Sequence, residues 1–227
     1  MAIHEDEYLQ RRHVYEEHAY VLDFLPYGRS SEKSRHLAVP TVQIMGEQFF
    51  TLLEAELKIG ATVLVHERIY IGRDRREKVD RILTRISYEQ LTANAKAEIV
   101  PLISELVKTQ EKRFVDFFNN SQPVTPRMHS LELLPGIGKK SMWQIVNMRE
   151  RKTFVSYKDI QERTGLSDIP KIISKRIIEE LSSDAKYRLF TRAVCACGNN
   201  RSLSTTEETR PKLPCRQTSS CKSSLER

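Results

Sequence analysis

The chain has 227 residues, 39% of them hydrophobic and 30% charged, and 37 Lys and Arg stand against 30 Asp and Glu for a net charge of +7. No apolar stretch approaches the roughly 20 residues of a membrane span, and the acidic opening MAIHEDEYLQRR lacks the regions of a secretory signal. These features exclude membrane and secreted classes and point to a cytoplasmic globular protein of one or two domains.

Residues 1–18 are charged and read as an N-terminal arm. Its His4, His13 and His18 have no cysteine or regularly spaced carboxylate beside them, so no metal site is expected there. Residues 19–90 read as a β-rich domain. A strand at 19–25 stops at Pro26-Tyr27-Gly28, and a polar loop at 29–36 follows. Strands at 39–45, 48–57, 62–66, 68–71 and 78–88 come next, with a helical turn as an alternative within 49–53. So many short strands predict a small OB-like or SH3-like barrel. A basic cluster, Arg68, Arg73, Arg75, Arg76, Lys78, Arg81 and Arg85, lies near Tyr70 and faces only Asp74, Glu77 and Asp80. In an OB-like barrel such a loop binds single strands, with the aromatic for stacking; a polar hairpin tip explains it equally well.

Residues 91–122 read as connecting helices, capped at Thr92 and broken or kinked by Pro101. Leu102, Ile103, Leu106 and Val107, then Phe114, Phe117 and Phe118, form buried stripes. The run Asn119 to Pro126 reads as a linker and domain boundary. Residues 123–192 hold 14 basic and 8 acidic groups, whereas residues 1–90 hold 13 and 15. The positive excess therefore belongs to the second half, a distribution that suggests a polyanionic partner. Residues 193–227 include ten Ser or Thr and no aromatic, and read as a disordered tail. Its Cys195, Cys197, Cys215 and Cys221 are spaced C-x-C-x17-C-x5-C, outside the usual zinc pairing, so free thiols and no metal are expected.

The segment Leu131-Glu132-Leu133-Leu134-Pro135-Gly136-Ile137-Gly138-Lys139-Lys140-Ser141 and Ile145 resembles a helix-hairpin-helix motif, with Met142 where alanine is usual. Gly136 and Gly138 allow a tight turn, Ile137 anchors it, and the N–H groups at the start of the next helix face an anion. Lys139, Lys140 and Ser141 add charge and a hydroxyl. Such a site grips a phosphate and reads no base. A degenerate second hairpin is expected at Thr164-Gly165-Leu166-Ser167, with Asp168 capping a helix over 170–181. Lys171, Lys175 and Arg176 on that helix offer a second phosphate contact, with a solvated charged face as the alternative.

Over about residues 19–190 the chain resembles an archaeal family of RNA-binding proteins called domain of unknown function 655. The resemblance rests on Gly46-Glu47-Gln48-Phe49-Phe50-Thr51, Glu67-Arg68-Ile69-Tyr70-Ile71-Gly72, Arg113-Phe114-Val115-Asp116-Phe117-Phe118-Asn119, and the stretch from Leu133 to Trp143. It implies an α+β protein, a small OB-like β-barrel followed by an all-α tandem helix-hairpin-helix domain, with an RNA-binding role and a link to ribosomes or translation. Nucleic acid, RNA before DNA, is thus the expected partner, with no cofactor. Two other classes compete. Glycosylases and abasic-site lyases share the hairpin and place a catalytic Asp downstream, where Asp159 stands; Ser156 and Asp159 also fit a helix cap. A protein-binding scaffold would use the helices at 91–122.

Overall fold

β-Branched and apolar runs in the first half form five strands: β1 (His18–Leu25), β2 (Thr41–Gly46), β3 (Leu52–Leu57), β4 (Arg68–Tyr70) and β5 (Val79–Arg85). They pair antiparallel in the order β4-β1-β2-β3-β5, a curled half-barrel. The structure is a computed structural model that describes residues 15–28 and 39–192. The expected arm up to residue 14, the polar loop at 29–36 and the tail at 193–227 with its four cysteines lie outside the described residues. Five helices follow the sheet: α1 (Ala93–Thr109), α2 (Glu111–Asn120), α3 (Lys139–Arg151), α4 (Tyr157–Thr164) and α5 (Ile169–Ser182). The fold is α+β. None of these helices is long and apolar enough to cross a membrane.

β2 is buried along its whole length because both of its faces are covered. Val42 and Ile44 join Ala19, Val21, Ala55, Leu57, Ile69 and Val79 in a small core. Alternation along β1 puts Tyr20 and Leu22 on the opposite side, and the strand carries a β-bulge between Val21 and Asp23. There Leu22, Met45, Phe50 and Leu52 enter a larger cluster with Ile99, Phe114, Phe118, Ile145, Ile160 and Ile177. Sheet and helices thus share one apolar core. Polar ties fix the approach of α1: the Thr92 N–H donates to Gln43 Oε1 at 2.9 Å, and its hydroxyl donates to Asp23 Oδ2 at 2.6 Å while capping the Ala95 N–H.

Four local expectations differ from what forms. Residues 62–66 make no strand: the chain turns at His66, whose φ is +63°, and Leu64 and Val65 are exposed. Beside β1, Val21 donates to the Glu67 carbonyl and receives from the His66 N–H, and Val63 packs against the small core. The strand expected from residue 48 begins at Leu52, because the buried Glu16 carboxylate accepts the N–H groups of Gln48, Phe49 and Thr51 and holds them in a turn. α1 does not break at Pro101 but continues through it, its ring exposed while Ile99, Leu102 and Ile103 hold both flanks to the core. Here packing outweighs the lost backbone hydrogen bond. The linker at 119–126 contains a strand, β6 (Pro123–Thr125), paired with β7 (Met128–His129) in a small hairpin.

The C-terminal end of the described chain is held by a single carboxylate. Glu180 on α5 is completely buried. It accepts the N–H groups of Leu189, Phe190 and Thr191, the Thr191 hydroxyl and the Arg176 Nε–H. This clamp sets Phe190 edge-on against Phe114 and Phe117. Removing one partner of a buried ion pair costs about 3–5 kcal/mol. Glu180→Ala is therefore expected to lower stability by about that amount in urea titrations, and Glu180→Gln by less; a loss under about 1 kcal/mol for the alanine variant would contradict the clamp.

Candidate nucleic-acid interface

The turn between Leu134 and α3 is built by apolar anchors on one side and open backbone on the other. Leu131, Leu134, Ile137, Met142 and Ile145 are buried in the large core. The preceding segment is only a 3-10 turn (Ser130–Leu133), in place of a full helix. The Ile137 N–H donates to the Leu134 carbonyl, closing the turn. Gly136 stands at φ +84°, which glycine alone adopts without strain. Gly138 is the N-cap of α3 at φ −91° and offers no side chain to the first turn. The helix therefore begins with free N–H groups at its positive dipole end.

Among the described residues, three of the other four helix starts are filled, and α2, which follows α1 directly at Gln110, has no side-chain cap. Thr92 caps α1, Ser156 caps α4 and Asp168 caps α5 with their own side-chain oxygens. At α3 the surroundings are open: a Cβ built on Gly136 or Gly138 meets no atom within 4 Å. Lys139 and Lys140 are exposed and make no ion pair among the described residues, and Ser141 is half-buried beside them. The chain itself does not require glycine at residue 138, and the open N–H groups with two free lysines suit an anion.

The second turn is built differently. Gly165 ends α4 at φ +69°, and the Asp168 carboxylate accepts the Lys171 N–H, so a negative charge already occupies the start of α5. Lys171 and Lys175 are exposed without ion pairs among the described residues, whereas Arg176 is tied to Glu180 and the Tyr187 carbonyl. Asp159 accepts the Val155 N–H and pairs with Arg163 at 3.2 Å, so its carboxylate serves the start of α4.

The basic cluster of the sheet is largely engaged within the chain. Arg68 grips Glu47 with Nε at 3.1 Å and Nη2 at 2.8 Å. Lys78 pairs with Glu67, Arg81 with Glu56 at 2.6 Å, and Arg76 donates to the Gly72 carbonyl. Arg73 lies 4.5 Å from the Tyr15 ring centroid. Tyr70 packs edge-on against His18, donates its hydroxyl to Asp74, and covers Gly72 so closely that a Cβ there would displace its ring. Arg75 is exposed and makes no ion pair among the described residues. Among the described residues, no three His, Cys, Asp or Glu gather as a metal site.

Two residues that sequence reasoning passed over stand beside the turn. Trp143, one helical turn into α3, is 60% exposed. His129 is 8% exposed, and its Nδ1 accepts the Leu131 N–H at 3.1 Å. Burial, with help from Arg149 and against Glu132, holds the His129 pKa below its usual 6.5. A solitary tryptophan followed a motif match, and nothing in its own spacing separated it from core.

The family model described as "Protein of unknown function (DUF655)" matches residues 15–192. The chain is 47% identical over 180 residues to "Uncharacterized protein MJ0038" of Methanocaldococcus jannaschii, covering 78% of this chain and 81% of that protein. It is also similar to the crystal structure of Af1531 from Archaeoglobus fulgidus, family-model DUF655. That match has 46% identity and a TM-score of 0.69, covering 78% of this chain and all of the other.

The two glycines should separate by stability. Gly136→Ala forces a left-handed alanine and is expected to cost about 1–2 kcal/mol, while Gly138→Ala, with space and a permitted φ, costs at most about 1 kcal/mol through a poorer cap. Equal losses in thermal denaturation would contradict this geometry. His129 supplies a pH signature. With its native pKa depressed, the unfolded chain binds the proton first, so His129's contribution is complete above pH 6.5 and lost as pH falls below it. Between about pH 7.5 and about 5.5, the urea midpoint of the wild type is expected to fall further than that of His129→Asn, which can accept the same N–H without titrating. Parallel curves would contradict it.

Proposed function

The chain belongs to the DUF655 family, and we propose that it is a nucleic-acid-binding protein, RNA ahead of DNA, that grips the phosphate backbone through a helix-hairpin-helix at residues 131–145. The observation that carries this reading is the uncapped start of α3. Its free N–H groups, the glycine at residue 138 that the fold does not require, and the free Lys139 and Lys140 all belong to the same exposed first turn. A backbone phosphate matches that combination of dipole, donors and charge.

The primary contact is a single hairpin. Asp168 fills the equivalent position at α5, so Lys171 and Lys175 act there as point charges on the strand's flank rather than as parts of a second phosphate cradle. The half-barrel, read as OB-like, is a secondary surface, with Arg75 as its freest cation and Arg68, Tyr70, Arg73, Arg76 and Lys78 shaping the loop around it. The hairpin N–H groups and the cations of the half-barrel loop meet phosphates rather than base edges, so affinity follows the backbone. No reaction is part of the proposal: Asp159, the residue a lyase would need, is committed to the start of α4.

Backbone binding has a salt signature. The logarithm of affinity for short RNA and DNA strands is expected to fall linearly with the logarithm of salt from about 50 to about 500 mM. Lys140→Glu is expected to reduce the slope by about one or more, and Gly138→Ala to weaken both ligands while the protein stays folded. Affinity that is level across that salt range and untouched by either substitution would overturn the reading.

A further inference from the structure

A cavity of about 460 Å³ lies between the β6–β7 hairpin and the outer face of α3, next to the start of that helix. Trp143, Met142 and Val146 give it an apolar side, and Arg127, His129 and Lys139 give it a polar one. Lys139 belongs both to this groove and to the first turn of α3, so the two sites are continuous.

The groove holds a donor that no group among the described residues answers and that is open to solvent. His129 is more than nine-tenths buried, and because its Nδ1 accepts the Leu131 N–H, its proton resides on Nε2. Nε2 has no partner among the described residues, and the residue lines the groove. Arg149 is turned away, donating to the Phe118 carbonyl at 2.9 Å and the Ser121 hydroxyl at 2.8 Å. Of the two acids present, Glu132 accepts the His129 N–H and Glu150 is exposed. Arg127 and Lys139 remain without ion pairs among the described residues.

We propose that this groove takes one unpaired nucleobase of the strand whose phosphate is held at residues 136–140, with Trp143 stacking on its face and the His129 Nε2–H donating to its edge. The inference rests on the nucleic-acid reading above and narrows it to single-stranded ligands. A paired base is stacked on both sides inside a duplex and cannot lie on the Trp143 ring, whereas an unstacked base presents a free face. The occupant's chemistry follows from the lining: an aromatic face for the indole, an acceptor for the imidazole N–H, and an anionic tether between Arg127 and Lys139.

Trp143 is the only tryptophan in the chain, so its emission reports the groove alone. The full-length protein is titrated with an oligouridine of about 12 nucleotides, once by the anisotropy of a labelled strand and once by intrinsic fluorescence with an unlabelled one. We expect saturable quenching at the same midpoint as the anisotropy change, and weaker binding to the matching duplex. Trp143→Ala is expected to reduce single-strand affinity about five- to a hundred-fold, and Trp143→Phe, which keeps an aromatic ring, to recover most of it. Trp143 is largely exposed, so neither substitution disturbs the core. Binding by anisotropy with unchanged emission, or a strand of abasic sugar-phosphate that quenches and binds equally well, would overturn the groove while leaving the phosphate hairpin standing. No binding at low salt would overturn both.

Discussion

The burial of Leu131, Leu134, Ile137 and Ile145 is the constraint from which the candidate site follows. These four side chains belong to the same apolar core as Leu22 and Met45 of the sheet and Phe114 and Phe118 of α2. Once Ile137 points inward, the glycines on either side of it face water. The positive φ of Gly136 reverses the chain there, and α3 starts at the surface with no side chain over its first turn. Open N–H groups are thus a consequence of hydrophobic packing, and the exposed dipole end needs no separate device to hold it in place.

Charge in the second half divides by residue type. Arginines act inward, as clamps on carbonyl groups: Arg149 on Phe118, Arg163 on Met148 and Lys152, and Arg188 on Glu180. The planar guanidinium suits this because one side chain can serve several acceptors at fixed angles. Lysines stay outside: Lys139, Lys140, Lys171 and Lys175 are exposed. The net charge of residues 123–192 therefore overstates the free positive surface, which is carried by these lysines with Lys152, Lys186, Arg127 and Arg151. In the first half the same bookkeeping removes Arg68, Lys78 and Arg81, each answered by a glutamate distant in sequence.

The periodic and punctuated features were legible in advance. The α+β class, the buried stripes of α1 and α2, the Thr92 and Asp168 caps and the turn at residues 136–138 all follow from short-range patterns. What escaped depends on partners far along the chain. Glu16 reshapes the turn before β3 from more than 30 residues away, and core packing carries α1 past Pro101. The engagement of Arg68 by Glu47 required the fold to bring them together. Trp143 and His129 are the sharper case: neither belongs to a motif, and only the meeting of the β6–β7 hairpin with α3 makes them neighbours of one groove.

The central claim is that the surface around the start of α3 touches nucleic acid. Ultraviolet crosslinking of the intact protein to RNA bearing a photoreactive uridine, followed by mass spectrometric sequencing of the modified peptides, tests it most directly. The account predicts adducts concentrated in the peptides that carry residues 136–143 and lost on competition with excess unlabelled single strand. Adducts spread evenly over the lysine-bearing surface, or confined to the strands of the half-barrel, would contradict it.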